Sequence, residues 1–520
     1  MGGSRMIGAG AVLQRWRSVI AAGTALLCVL AASGCATTAA RPKTVQLHVG
    51  TPEISFGTIS DTQIQNRQAW AARNLLRSPQ ADRRIPVTIR PPVLDLAART
   101  LLRAHLDEQQ KRGVSAIFYL GDGANQGCIS ELASTAPGDE GIFPILAKVR
   151  QHSGLPIFFV LGNHDFLAAG NTENQIQHAG LCGGESNIAT KAQLIRMADD
   201  FNRASAAQAG WTYRASTTDA LEANCSGPEQ AELRQSRRQG CFYAATLDVA
   251  RGAKRYRFVL LDTNDYADVS RNRVLRWGGN TALTTDFEGL RGAISFREAT
   301  SQTSWLAEQG RKSREAGQRP DVLVALTHYN ITDLRRMVKV PLSRKTQLLG
   351  NVFVDQAGAF YGERAFVVSA HTHTETTATY ATTITEGKKA LVTLDEVNIG
   401  STTDHPSLSA VLELVPSPRG LAMAYEPITL SRAGCEQVRD ELAAAQFPRA
   451  FLGNTTGGRA IAFDAADPLL YHQVTQDNVA DVFANIDWFI GSSSKRAICL
   501  GLMASAIEAD AASPIQPPQL

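Results

Sequence analysis

Residues 156–165 read Pro-Ile-Phe-Phe-Val-Leu-Gly-Asn-His-Asp. An apolar run rich in β-branched and aromatic side chains (156–161) stops at a glycine and opens onto an amide, an imidazole and a carboxylate. Such a run is predicted to be a buried strand, and the polar residues behind it a turn at the strand's carboxyl end. The same form recurs along the chain. The run 54–60 ends in Ser60-Asp61-Thr62-Gln63, 115–120 in Gly121-Asp122, 322–327 in Thr327-His328, and 365–370 in Ala370-His371-Thr372-His373. Helical patterns separate these runs. Apolar residues at 94, 97, 101 and 102 predict a helix over 93–112 stopped by Gly113, and shorter ones are predicted over 142–152, 191–209 and 304–316. A further strand is predicted at 257–261, and four more at 376–384, 390–398, 408–415 and 422–428, the last four with short links that suggest antiparallel pairing. Strands alternating with helices predict an α/β layer fold.

In an open α/β sheet the carboxyl ends of parallel strands share one edge, so these polar residues are expected to converge although they lie hundreds of positions apart. Four of the ten histidines fall there, His164, His328, His371 and His373, while His48, His105, His152, His178, His405 and His472 have no such context. Carboxylate, imidazole and amide oxygen are the donor types that hold divalent cations. A carboxylate, unlike an amide, has lone pairs and charge enough to serve more than one cation.

In order and strand context these residues resemble the calcineurin-like metallophosphoesterase family, whose pattern runs D-x-H, G-D-x-x-N, G-N-H-D, a lone H and G-H-x-H. The resemblance covers residues 51–430 and includes Leu261-Asp262-Thr263 and Gln302-Thr303-Ser304-Trp305-Leu306. It implies two mixed β-sheets packed as a sandwich flanked by helices. It also implies a dinuclear site in which Asp122 bridges, Asp61, Gln63 and His373 complete one position, and Asn163, His328 and His371 the other. The implied reaction is hydrolysis of a phosphomonoester or phosphodiester by a metal-bridging hydroxide, with His164 as proton donor, oriented by Asp165. Asn125 fits the family loop and is expected to hold it by hydrogen bonds, or to be an ordinary turn residue. Two positions depart from the pattern. Gln63 replaces the usual histidine with a harder oxygen donor, which favours manganese or iron over zinc, though zinc remains compatible. Ala370 replaces a glycine, which costs nothing if the backbone there is extended. An alternative stays open: an envelope lipoprotein with one metal or none that keeps the fold for binding.

The chain has 520 residues, 44% hydrophobic and 19% charged, with a formal net charge of +3. That suffices for a large core and excludes a disordered chain, and the interspersed charges form no nucleic-acid-binding stripe. Arg5, Arg15 and Arg17 precede an apolar run, 19–32, that ends in Ala32-Ser33-Gly34-Cys35. This predicts a signal peptide over 1–34, lipidation at Cys35 and a tether over 35–50, hence an exported periplasmic or outer-membrane lipoprotein that touches the membrane through its anchor alone. Six further cysteines, Cys128, Cys182, Cys225, Cys241, Cys435 and Cys499, are candidates for disulfides in an oxidising compartment. Six allow 15 connectivities, of which proximity favours Cys225–Cys241 and Cys435–Cys499, with Cys128–Cys182 as the remainder. The polar, cysteine-bearing stretch 166–253 is expected to be an insertion that walls the cleft, and 431–520 a mainly helical extension. The expected partner is a small-molecule or macromolecular phosphate ester.

Overall fold

The computed structural model describes residues 51–65, 92–165, 182–225, 241–265, 276–277, 280–281, 294, 301–332, 364–373, 375–384, 390–403, 407–417, 420–430, 460–463 and 471–474. All of them belong to the unit Gln46–Leu520; a separate unit, Met1–Val45, lies outside the described residues, as do Cys35, His405, Cys435 and Cys499.

The first half alternates strand and helix as its periodicity predicts. β1 (Ile54–Ile59) leads to α1 (Pro92–Lys111), β2 (Ile117–Tyr119), α2 (Ile129–Ala133), α3 (Ile142–Ser153) and β3 (Ile157–Phe159). α4 (Lys191–Ala209) follows, opened by a Thr190–Gln193 capping box and closed by Gly210 at φ 68°. Then come β4 (Thr212–Ala215), α5 (Leu221–Cys225), β5 (Ala245–Arg251), β6 (Lys254–Leu260), a ribbon of β7 (Arg276–Trp277) and β8 (Asn280–Thr281), α6 (Gln302–Glu315) and β9 (Val322–Leu326). The rest is β10 (Arg364–Ser369), β11 (Thr376–Ile384), β12 (Ala390–Asn398), β13 (Leu408–Ser417), β14 (Gly420–Thr429), β15 (Ala460–Phe463) and β16 (Tyr471–Val474).

Two mixed sheets result, one ordered β14-β13-β1-β2-β3 and the other β11-β12-β10-β9-β6-β5-β4. β1, β2 and β3 run parallel in the first, and β6, β9, β10 and β12 in the second, so the carboxyl ends within each set point one way. The four strands expected to be antiparallel form two hairpins, β11–β12 and β13–β14, one in each sheet.

The layers follow from period-2 side-chain alternation. In β9, Val322, Val324 and Leu326 enter the core between the sheets, while Leu323 and Ala325 join Leu306 of α6 on the other face. Phe56 and Phe118 of the first sheet meet Phe258 of the second with ring centroids 5.4 and 4.7 Å apart. Each such buried ring contributes roughly 2–3 kcal/mol. The molecule is therefore an α/β sandwich of two mixed sheets flanked by helices.

The described parts of 166–253 are built into this sandwich. Asn202 of α4 bonds both Phe159 N and Phe159 O of β3, and β4 and β5 pair into the second sheet. β5 escapes sequence recognition because Asp248 interrupts its apolar run. The structure places Asp248 directly across from Arg257 of β6, with Arg214 of β4 also in contact, so the charge is buried as a pair.

Cys128–Cys182 and Cys225–Cys241 are disulfides, with Cα–Cα distances of 5.3 and 4.8 Å. Within 431–520, expected to be mainly helical, the described residues are instead the antiparallel strands β15 and β16, whose Ile461, Phe463, Tyr471 and Val474 carry β-prone side chains; the remainder lies outside the described residues. Among the described residues no helix is long and apolar enough to cross a membrane.

Candidate metal centre

Asp61, Gln63, Asp122, Asn163, His164, His328, His371 and His373 are brought to one rim, where the ends of β1, β2 and β3 meet those of β9 and β10. Asp122 stands in the middle. Its Oδ2 lies 3.3 Å from His328 Nε2 and accepts from Gln63 Nε2 at 3.2 Å, and its Oδ1 accepts the His164 backbone N–H at 2.8 Å. Asn163 Oδ1 is 2.9 Å from His328 Nε2, and His371 Nδ1 is 3.3 Å from the same nitrogen. Asp122, His328 and His371 each offer a donor atom within 4.8 Å of the others. On the other flank, His373 Nε2 lies 3.1 Å from Asp61 Oδ1, and the His371 N–H reaches Asp61 Oδ2 at 3.4 Å.

The backbone carries a second signature. Five described residues other than glycine have left-handed φ: Asp61 at 54°, Gln63 at 49°, Asp122 at 56°, His371 at 73° and His373 at 55°. Each is a candidate ligand. A residue with a Cβ gives up roughly 1–2 kcal/mol in this region, so the fold must hold each turn from outside. Ala370 is not among them, so the missing glycine there costs nothing. Gly162 is required for another reason: a Cβ on it would lie 2.1 Å from Asp122 Oδ1.

Asp165 supplies one of these holds, and its role differs from the expectation that it orients His164. Its carboxylate accepts the N–H groups of Asp122, Gly123, Ala124 and Gly162 at 2.8–3.0 Å, stapling the turn after β2 to the turn after β3. The His164 ring is oriented instead by the Asn125 carbonyl, 2.8 Å from Nδ1. Loop N–H groups left without sheet partners attract the carboxylate more strongly than an imidazole does. Asn398 holds the turn after β10 in the same way, donating to Ala370 O and Ser369 Oγ and accepting from Thr372 Oγ1.

Charge explains why this rim fits a cation. His328 Nδ1 lies 2.8 Å from the Leu120 carbonyl, which commits that nitrogen as a donor and turns the Nε2 lone pair towards Asn163 Oδ1 and Asp122 Oδ2. Acceptors thus face acceptors in a buried space, and only a proton or a cation relieves them. Without a cation the proton serves: burial pulls the His328 imidazole down, but the Asp122 carboxylate, reinforced by Asp61, pushes it up to about 9. Burial and the charge on His328 push His371 down to about 3. Burial opposes ionisation of both carboxylates, yet His328 and His164 hold Asp122, and His373 holds Asp61, below the usual range. Burial, then the charge of Asp122, pushes Asp165 up to about 7. A largely buried donor set of two carboxylates, three imidazoles and two amides suits cations of intermediate to hard character.

Of the histidines without strand-end context, His105 is buried between Ser409 Oγ and Ser407 Oγ, and His152 is exposed and caps Lys148 O. Neither approaches the centre.

The sequence matches no protein-family model and no curated protein. Among solved structures it is similar to a dimetal phosphatase from Danio rerio, with 14% identity and a TM-score of 0.38 over 73% of this chain and 100% of that one. It is also similar to GAP50, the anchor in the inner membrane complex of Plasmodium, with 10% identity and a TM-score of 0.27 over 73% of this chain and 88% of that one.

Proposed function

We propose that this chain is a metal-dependent phosphoesterase that hydrolyses a phosphomonoester or phosphodiester outside the cytoplasm. The observation that carries this reading is the coincidence of backbone strain with donor chemistry: each left-handed residue other than glycine among those described is a candidate ligand. Asp122 is the shared ligand, with Asp61, Gln63 and His373 on one side and Asn163, His328 and His371 on the other. Two divalent cations bound there would supply an activated water and positive charge opposite the phosphate, with manganese or iron favoured by Gln63 and zinc compatible. His164 keeps Nδ1–H on the Asn125 carbonyl, which leaves Nε2 to carry a proton to the leaving oxygen. Asp122 receives the His164 N–H, so the proton carrier and the shared ligand move as one unit.

The two disulfides support an oxidising compartment and, with the basic and apolar start ending at Cys35, a periplasmic or outer-membrane lipoprotein. One observation favours a second reading, a single-metal or non-catalytic binding protein: Gln63 turns its amide nitrogen, not its oxygen, towards Asp122. Metal content of the purified full chain and turnover of a chromogenic aryl phosphate separate the two. Two equivalents of metal, with turnover lost in Asp122→Asn, is the expected outcome. One equivalent without turnover selects the second reading, and a metal-free, inactive protein defeats the enzyme.

A further inference from the structure

The turn Gly400-Ser401-Thr402-Thr403, behind β12, contains no metal-binding side chain and is buried, with Ser401, Thr402 and Thr403 at 0%, 0% and 2% exposure. Its consecutive hydroxyls all reach one target. Ser401 Oγ donates to Asp61 O at 2.9 Å, Thr402 Oγ1 to Ser60 O at 3.0 Å and Thr403 Oγ1 to Thr62 O at 3.0 Å. The Thr402 N–H also donates to Ser60 O, at 3.1 Å, and Ser60 Oγ returns a bond to Gly400 O, also at 3.1 Å. Because the Thr402 hydroxyl proton is committed to Ser60 O, the 3.0 Å contact between Thr62 Oγ1 and Thr402 Oγ1 has Thr62 as donor.

The carbonyls so occupied belong to the segment in which Asp61 and Gln63 both take left-handed φ, which turns successive carbonyls out of the sheet ladder. Sheet partners for these oxygens are lost, water is excluded, and hydroxyls on a neighbouring turn are what remain. We propose that Ser401, Thr402 and Thr403 are positioning residues that lock the strained Asp61–Gln63 turn and thereby set the cation affinity of the position formed by Asp61, Gln63 and His373. This rests on the metal-centre reading above. The position formed by Asn163, His328 and His371 draws further support from Leu120, Asp165 and Asn398, and touches the Asp61–Gln63 turn only through Asp122 and the His371 N–H, so the effect falls mainly on one of the two.

The test is equilibrium binding of manganese to the full chain, comparing wild type, Ser401→Ala and Thr403→Val with the hydroxyl-retaining Ser401→Thr and Thr403→Ser. The expected result is two equivalents in wild type, one of them weakened about tenfold to a hundredfold in each hydroxyl-deleting variant, the range seen when partners behind metal ligands are removed. The other equivalent is weakened less, and the hydroxyl-retaining variants bind like wild type. Amide hydrogen exchange of residues 61–64 in the metal-free proteins reads the turn directly: deletion of the hydroxyls speeds it, retention does not. A wild type that takes up two equivalents, with deletion variants that bind both as tightly, overturns the proposal alone. Equal weakening of both equivalents in folded variants overturns it as well, since the role is then general support of the fold. A wild type that takes up no manganese overturns the metal-centre reading and the proposal with it.

Discussion

Asp122, Asn163 and His328 are 1%, 1% and 0% exposed, and the His328 ring is already turned for coordination by the Leu120 carbonyl, whereas the Asp61 side of the centre ends on a His373 side chain that is 26% exposed. On the Asp61 side, where Asp61 and Gln63 are themselves buried, Gln63 meets Asp122 through its amide nitrogen, so in the proposed centre its amide turns over before its oxygen serves a cation. In the proposed dinuclear reading, the His328 position has its ring already set, whereas the Gln63 position has an amide still to turn. Preorganisation favours affinity by removing an ordering cost, and a half that still has to rearrange leaves room for exchange of solvent and product.

The largest effect should come from the residue both halves share. Asp122→Asn is expected to lower phosphate-ester turnover on the order of 10³-fold or more, as deletion of one member of an interdependent catalytic set does. Steady-state assays with matched metal content check it; a residual rate within tenfold would dissolve the comparison, because neither half would depend on the bridge. Next is the staple under the His328 half. Asp165→Asn keeps one acceptor and turns an NH₂ group towards N–H donors, leaving buried donors unpaired at about 3 kcal/mol of stability, measured by urea denaturation of the metal-free protein. Smaller again, Gln63→His should shift the Asp61 half about tenfold towards zinc over manganese, which competition binding resolves; an unchanged preference would mean that Gln63 is not a ligand. The smallest lies outside both halves. Burial pushes His105 down to about 3, so its neutral ring stabilises the fold above pH 6.5, its unfolded-state value, and that stability is lost as pH falls towards 3. At pH 6 the loss is about 0.7 kcal/mol relative to pH 7, and His105→Gln should abolish this component of the denaturation profile.

The candidate ligands were legible as a cluster because each pairs a chemically distinctive side chain with the end of an apolar run, and five such runs end at one rim. The core strands were legible for the same reason: β9 reads Val-Leu-Val-Ala-Leu and β10 carries the apolar run Ala-Phe-Val-Val. What escaped depends on backbone groups or on a distant partner. Asp165 reads as an orienter of the adjacent His164, since nothing in the sequence advertises four N–H groups gathered by two turns. β5 was hidden by Asp248, whose neutralising arginines sit on other strands. Ser401, Thr402 and Thr403 look like any polar turn, because a hydroxyl bonded to a carbonyl leaves no pattern of its own.

Asp61 and His373 come within 3.1 Å across 312 positions, and β1, which delivers Asp61, takes β13 as its antiparallel neighbour. A ribosome therefore emits the first ligand long before its companions exist, and contacts of such long range close late in folding. Under the proposed metal-centre reading, whichever compartment holds the chain when β13 docks also supplies the ion, so geography and timing would select the metal alongside the donor atoms.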